Sequence, residues 1–410
     1  MLKPGYKQTE ICVIPEDWDC DKFGEKVKIY RGGSPRPIQD YITHSSTGIN
    51  WIKIGDVGEN DKYIRSTQEK IIPEGVSKSR EVHVGDFILS NSMSFGRPYI
   101  LDINGCIHDG WLTIQEYKNT FHTEYLYYLL SSNLVYQQYI SMAAGSSVKN
   151  LNKDKVSALN VVYPTLLEQE RIAEALSDVD SMISSLEKLI EKKKAVKQGA
   201  MQELLTGKKR LPGFTGEWYD TTIGEHCYVF DGTHQTPKYT ASGIPFYSVE
   251  NVTANDFANT KFISVEEHKL LTTKHRIEKG DILMTRIGSI GDCKYVDWNV
   301  NASFYVSLAL IKCKDTINAQ FLSYYSNSTY FKKEIEIRSL LTAIPQKINL
   351  GPISEIRLNI PSDIKEQQVI ASILSDMDNE LEALEQKLEK TRQIKQGMMQ
   401  QLLTGKIRLV

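Results

Sequence analysis

Few residues of this 410-residue chain stand at a spacing that could run a reaction. Asp281, followed by Asp292-Cys293-Lys294, imitates the acid…acid-x-Lys arrangement with which a metal-dependent nuclease holds a divalent ion and orients a water. Its counterpart in the first half, Asp86, has no such acid-x-Lys sequel, so the pattern reads as an accident of composition. No N-P-P-[YF], G-x-G-x-x-G, G-x-x-x-x-G-K-[ST] or H-E-x-x-H motif occurs. The eight histidines show no ligand spacing, and Cys12, Cys20, Cys106, Cys227, Cys293 and Cys313 include no C-x-x-C pair. The expectation is a non-enzymatic chain with reduced thiols, no metal and no cofactor of its own.

What remains is polar loop chemistry suited to DNA. Ser90-Asn91-Ser92-Met93-Ser94-Phe95-Gly96-Arg97 matches Thr285-Arg286-Ile287-Gly288-Ser289-Ile290-Gly291, each after a Gly-Asp strand. Hydroxyls and glycine-exposed N–H groups fit phosphate oxygens, and Arg or Asn can reach base edges, which makes Asn91, Ser92, Ser94, Arg97, Arg286 and Ser289 candidates. Two further pairs of segments align. One contains Arg31 and Arg36 against His234, Gln235 and Lys238; the other contains Ser146, Ser147 and Lys149 against Gln346 and Lys347. Ordinary turns and solvated loops account for the same residues, and both readings stay open. Arg97→Ala and Arg286→Ala are expected to weaken specific binding, by about 1–3 kcal/mol if each meets a base edge.

The elements that must carry these loops are set by an internal repeat. Glu168–Leu211 returns as Glu366–Leu409 at a constant offset of 198 (366 − 168), with 24 of 44 positions identical. Each copy reads as one long helix. Thr165-x-x-Glu168 and Asp363-x-x-Glu366 have capping-box spacing, and Gly207 and Gly405 close the ends. Apolar residues alternate at four and three: Ile172, Leu176, Val179, Ile183, Leu186 and Ile190, matched by Ile370, Leu374, Met377, Leu381, Leu384 and Leu388. That is a coiled-coil seam rather than the wider stripe of a helix lying on a globular core. Gly199 and Gly397, inside both helices, suggest close approach of another backbone or a tolerated irregularity.

Charge sets the direction. Glu168–Met182 and Glu366–Glu380 are each net −4, whereas Glu187–Arg210 is +5 and Glu385–Arg408 is +4. Parallel helices would set like charges together, so antiparallel packing is expected. The blocks between are diverged repeats of mixed α+β type, with Trp18 answering Trp218 and Gly85-Asp86 answering Gly280-Asp281. Short β-branched runs (Trp51–Ile54, Asp86–Ser90, Asp281–Thr285, Tyr305–Lys312) read as strands, and the Tyr-rich stretches 121–142 and 319–337 as helices. The segments are 1–163, 164–211, 212–361 and 362–410: two mixed α+β blocks, each followed by a long helix. Antiparallel helices would place the domains at opposite ends under a pseudo-two-fold axis.

Composition excludes several classes. With 49 Lys+Arg against 51 Asp+Glu the net charge is −2, which argues against gripping nucleic acid by bulk charge but not by local basic surfaces. No apolar run of about 18 residues and no signal-peptide core exist, so a soluble, cytoplasmic protein without membrane contact is expected.

The repeated P-x-x-x-E-Q…I-A…L-S-D-x-D…K-Q-G-x-M-Q-x-L-L-T-G-K-x-R-L helix, together with Ile14-Pro15-Glu16-Asp17-Trp18 and the Leu211-Pro212-Gly213-Phe214 joint, resembles the specificity subunit of type I restriction–modification systems. The resemblance covers essentially the whole chain. It implies two target recognition domains that read the halves of an asymmetric, bipartite site in double-stranded DNA, and helices that dock two modification subunits. S-adenosylmethionine, ATP and Mg are then expected on the modification and restriction subunits and not on this chain. The alternative is a structural adaptor that oligomerises through its coiled coil without reading DNA.

Overall fold

A computed structural model describes residues 4–58, 61–91, 96–143, 151–340 and 342–410. The chain divides into two compact units, one of Met1–Glu187 with Gln386–Val410, the other of Lys188–Glu385. The long helices run Leu166–Leu204 and Ile364–Leu402, 39 residues each, so each unit holds one half of each helix.

Within the first unit, Asp180 pairs with Lys395 at 2.6 Å and Glu187 with Arg392 at 2.7 Å. Within the second, Lys193 pairs with Glu380 and Lys194 with Glu385, both at 2.6 Å, and Lys197 with Asp378. In each unit the partner number falls on one helix as it rises on the other, from 180–395 to 187–392 and from 194–385 to 197–378, so the helices pack antiparallel, as the charge gradient requires. The seam departs from expectation at its ends. Ile172 and Leu176 are wholly buried in the first unit's core beside Leu402 and Leu403, and Ile370 and Leu374 in the second's beside Leu204 and Leu205. Leu186, Ile190, Leu381 and Leu388 are also buried, whereas Val179, Ile183, Met377 and Leu384 are only half-buried. Within each unit, the same spacing of four and three thus serves both a globular core and half-buried helix positions.

The first unit's main sheet has five strands in the order Lys28–Arg31, Trp111–Gln115, Phe87–Ser90, Pro98–Leu101, Tyr63–Ile64. The second's has four: Cys227–Asp231, Leu308–Cys313, Ile282–Thr285, Cys293–Tyr295. In both, the strand after the Gly-Asp turn is central and fully buried. A second sheet accompanies each, of five strands around Ile49–Ile52 and of three around Ile244–Tyr247. A two-stranded ribbon, Asp19–Lys22 with Asn160–Tyr163 and Trp218–Thr222 with Arg357–Pro361, leads into each long helix.

Each Tyr-rich stretch is two helices, not one: Thr123–Leu130 with Asn133–Ala143, and Ala319–Tyr325 with Thr329–Arg338. The break has a local cause. Ser132 Oγ accepts from Val135 N at 3.3 Å and Ser328 Oγ from Phe331 N at 3.1 Å, so a serine in mid-stretch caps a fresh helix start. All six cysteines are free thiols. Among the described residues, no helix is long and apolar enough to cross a membrane, and no group of three His, Cys, Asp or Glu could hold a metal.

Candidate nucleic-acid interface

The repeat's most specific residues build the frame. Glu168 is buried and accepts two parallel bonds from Arg408, Nε at 2.6 Å and Nη2 at 2.7 Å; Glu366 accepts the same pair from Arg210, both at 2.8 Å. Each pair joins one copy of the repeat to the other. The capping-box expectation is corrected here. Thr165 Oγ1 does accept from Glu168 N, at 3.4 Å, but the carboxylate turns to the guanidinium, because a buried charge needs a charged partner more than an orphan N–H does. Hydrogen bonds that it donates to Glu168 and Asp17 raise Arg408 above the ordinary guanidinium range. The neighbouring glutamine is a clasp. Gln169 accepts from His122 N at 2.8 Å and donates to Pro164 O at 2.9 Å, while Gln367 accepts from Asn318 N and donates to Pro361 O, both at 2.9 Å. Tyr128 donates to Asp180 and Tyr324 to Asp378, each at 2.7 Å. Gly207 and Gly405 both have φ +67°. A Cβ on Gly405 would lie 2.4 Å from Pro15, and one on Gly207 would lie 3.1 Å from the Trp218 ring.

On this frame the candidate loops of the second unit converge. Arg286 N donates to Ser307 O and accepts, through its own carbonyl, from Ile348 N, both at 2.9 Å. Its side chain is buried and donates to Val306 O at 3.0 Å and Ile348 O at 3.2 Å, with Asp231 at 3.9 Å. The guanidinium therefore ties Val306, Ile348 and Asp231 together, with its donors on protein carbonyls, while the 286–291 and 342–347 segments meet through backbone, Gly288 N on Gln346 O and an Ile287–Lys347 bridge. His234 rests on Asp231 at 2.6 Å, and Ser289 donates to Asp292 at 2.5 Å. Gln346 O accepts from Gly288 N at 2.9 Å. His234, Gln235, Lys238, Ser289 and Gln346 are exposed, and Lys347 is half-buried.

The first unit repeats the brace with another residue. Asn91 N donates to Gly110 O at 3.1 Å, Leu151 N donates to Asn91 O at 2.8 Å, and the buried Asn91 amide donates to Asp109 O at 3.1 Å. Asp109 is the hub that sequence reasoning missed. It accepts from Ser34 Oγ at 3.0 Å, meets Arg36 at 3.5 Å and His108 at 2.9 Å, and its carbonyl receives Arg31 Nε at 3.4 Å. Burial pushes its carboxyl up, but the Ser34 hydroxyl, His108 and the two guanidiniums more than offset that and hold it below the usual range. An isolated Asp-Gly carries no sequence signal of such a role. Ser92, Ser94, Ser146, Ser147 and Lys149 lie outside the described residues.

Two expectations change. Arg286 is a brace rather than a free side chain reaching for a base. Arg97 leaves the loop cluster: its guanidinium lies 5.7 Å over the Tyr99 ring and lines a groove with Tyr127, Leu130, Met399 and Leu403. The second unit has the matching groove, lined by Met201, Leu205, Lys208 and Tyr324. Among the described residues, Gly199 and Gly397 meet no other backbone, for a Cβ on either would find nothing within 4 Å. Asp281 is a turn strut: its carboxylate accepts from Glu278 N at 2.7 Å and Lys312 Nζ at 2.6 Å, and burial raises it above the ordinary carboxylate range.

Two pseudo-equivalent α+β units, each closed by crossed halves of a repeated helix and each with unlike loops on one brace, define an internally duplicated α+β class of protein. The chain belongs to the type I restriction modification DNA specificity domain family, whose model matches residues 15–198 and 216–394. It is 24% identical, over 99% of this chain and 96% of the relative, to the type I restriction enzyme MjaVIII specificity subunit of Methanocaldococcus jannaschii. Identity to that organism's putative MjaX specificity subunit is 26%, over 99% and 97%. In fold it is similar to the type I restriction-modification S subunit from M. genitalium, with a TM-score of 0.59 at 18% identity over 98% of this chain and 99% of that one.

Proposed function

We propose that the two units read the two unlike halves of a bipartite DNA target on behalf of a type I restriction–modification complex. The observation that supports this reading is the brace. Asn91 and Arg286 gather corresponding loops in both units, while the exposed side chains on those loops differ: Arg31 and Arg36 in one, His234, Gln235 and Lys238 in the other. A common scaffold with unlike reading surfaces suits a split, asymmetric site. Helices of 39 residues, about 58 Å at ~1.5 Å per residue, act as the spacer between half-sites that recur on one face of B-DNA at about 34–36 Å or multiples of it.

Docking falls to the grooves that repeated residues line in each unit. Met201, Leu205 and Lys208 line one groove, and their copies Met399, Leu403 and Lys406 line the other, which suits two copies of one modification subunit. Those subunits bring S-adenosylmethionine for adenine methylation, and restriction subunits bring ATP- and Mg-dependent cleavage. This chain supplies the address. The near-neutral net charge fits a grip on phosphates that is shared with partners.

Exchanging residues 1–163 for the corresponding block of another such subunit, followed by methylome sequencing of cells carrying the intact system, tests the reading. One half of a split target should change and the other persist. An unchanged pattern, as an oligomerising adaptor would give, overturns it.

A further inference from the structure

Ile344 stands out of the loop cluster in the second unit. Its side chain is 101% exposed, as open to water as in an extended chain, while Leu340 is 45% and Ile337 74% exposed on the same approach. The loop that carries it is fixed at its base. Leu340 N donates to Lys347 O at 2.8 Å, Ala343 N to Leu340 O at 3.2 Å, and Gly288 N to Gln346 O at 2.9 Å. Isolated bridges join Lys347 to both Ile287 and Leu340. A β-branched side chain, stiff at χ1, is thus held away from the protein rather than collapsed onto it.

Exposed aliphatic residues are ordinary one at a time. This one is distinguished by its station, on a segment whose backbone is joined to Ile287 and Gly288 of the candidate loop, two residues from Gln346. Duplex DNA offers such a side chain two apolar targets. One is the thymine C5-methyl, the only apolar group on a base edge in the major groove. The other is the face of a base pair, which becomes accessible only after a step is unstacked. Unstacking costs as much as burying one isoleucine returns, whereas a methyl contact requires no deformation. We propose that Ile344 reads a thymine methyl in the half-site of the second unit. The proposal rests on the reading that this unit recognises DNA. In the aligned segment of the first unit the sequence carries Val148, outside the described residues.

The test uses the full chain assembled with its modification subunits and a duplex carrying the target identified by methylome sequencing. Thymines of the second half-site are replaced one at a time by uracil, which lacks the methyl and keeps every hydrogen-bonding group. One position should cost the parent about fivefold in affinity at fixed salt. The same replacement should cost Ile344→Ala nothing. Several results overturn the proposal: no uracil position matters, the loss persists in Ile344→Ala, or the half-site has no thymine on either strand. It also fails if 2-aminopurine beside the site brightens with the parent and not with the variant, which marks a wedge. Reduced assembly of Ile344→Ala with modification subunits fails it too, by marking a protein contact. Exchange of residues 212–361 keeps the two readings apart, since an unchanged methylation pattern there removes DNA reading itself rather than the role of Ile344.

Discussion

The two units solve one problem with different side chains at the same station. The first braces its loops with Asn91, a neutral amide with one carbonyl partner, and adds an acidic hub, Asp109, that collects Ser34, Arg36 and His108. The second braces with Arg286, a buried guanidinium with two carbonyl partners and Asp231 nearby. The backbone bonds around the two residues correspond, so what diverged is how the frame is tightened. The helices differ less: Glu168–Arg408 and Glu366–Arg210 have the same bidentate geometry, but Trp18 Nε1 also reaches Glu168, at 3.3 Å. Variation sits where loops are set and identity where the copies lock together.

The largest effect expected from this contrast is at the locks. Arg210→Ala leaves Glu366 buried with no cation and should cost about 3–5 kcal/mol. Arg408→Ala should cost less, because the indole N–H still serves Glu168. Hydrogen exchange resolved by unit checks the order, and equal losses would erase the difference drawn between the two locks.

Next come the braces. Arg286→Ala removes two charged hydrogen bonds to carbonyls, about 3 kcal/mol or more together, against about 1 kcal/mol for the single neutral bond lost in Asn91→Ala. Methylome sequencing should show relaxed specificity confined to one half of the target in each case, broader for Arg286→Ala. Relaxation of both halves by either variant breaks the assignment of one brace to one half.

Acid sharpens the comparison further. Asp109 is held below its ordinary range, so its contribution is present above the unfolded pKa and lost as pH falls through the folded value. Asp281 is raised by burial, and its contribution has the opposite sign: it is present at low pH and lost as pH rises. Below about pH 4, amides of the 31–36 segment should exchange faster while those of the 282–285 strand hold. Simultaneous loosening contradicts this.

The smallest effect is at the mid-helix glycines. With open space at both, Gly199→Ala and Gly397→Ala should each stabilise the chain by about 1 kcal/mol. If a partner backbone uses that space, pull-down of modification subunits should weaken as melting temperature rises; undiminished assembly removes the glycines from the docking surface.

Much of this was readable from residue order, for identifiable reasons. The helices, their glycine ends and their opposed directions follow from a repeat long enough for spacing and charge to accumulate. The strand after each Gly-Asp turn follows from a short apolar run. The roles of Glu168 and Glu366 did not follow, because a carboxylate three residues after a cap looks the same whether it turns back to the cap or out to an arginine 240 positions away. Arg286 and Arg97 look like surface cations in sequence, and only the fold shows that one is enclosed by carbonyls and the other lies over an aromatic ring. Asp109 was invisible because its partners come from segments about 75 residues apart.

The crossed helices also set the order in which the protein can be finished. The second unit is one continuous stretch, Lys188–Glu385, whereas the first needs Gln386–Val410, with Tyr6 donating to Gly405 O and Arg408 reaching Asp17. On the ribosome the domain begun first is therefore sealed last, after the one encoded behind it. A nonsense change just past Glu385 would wound the unit begun first and spare the one encoded between.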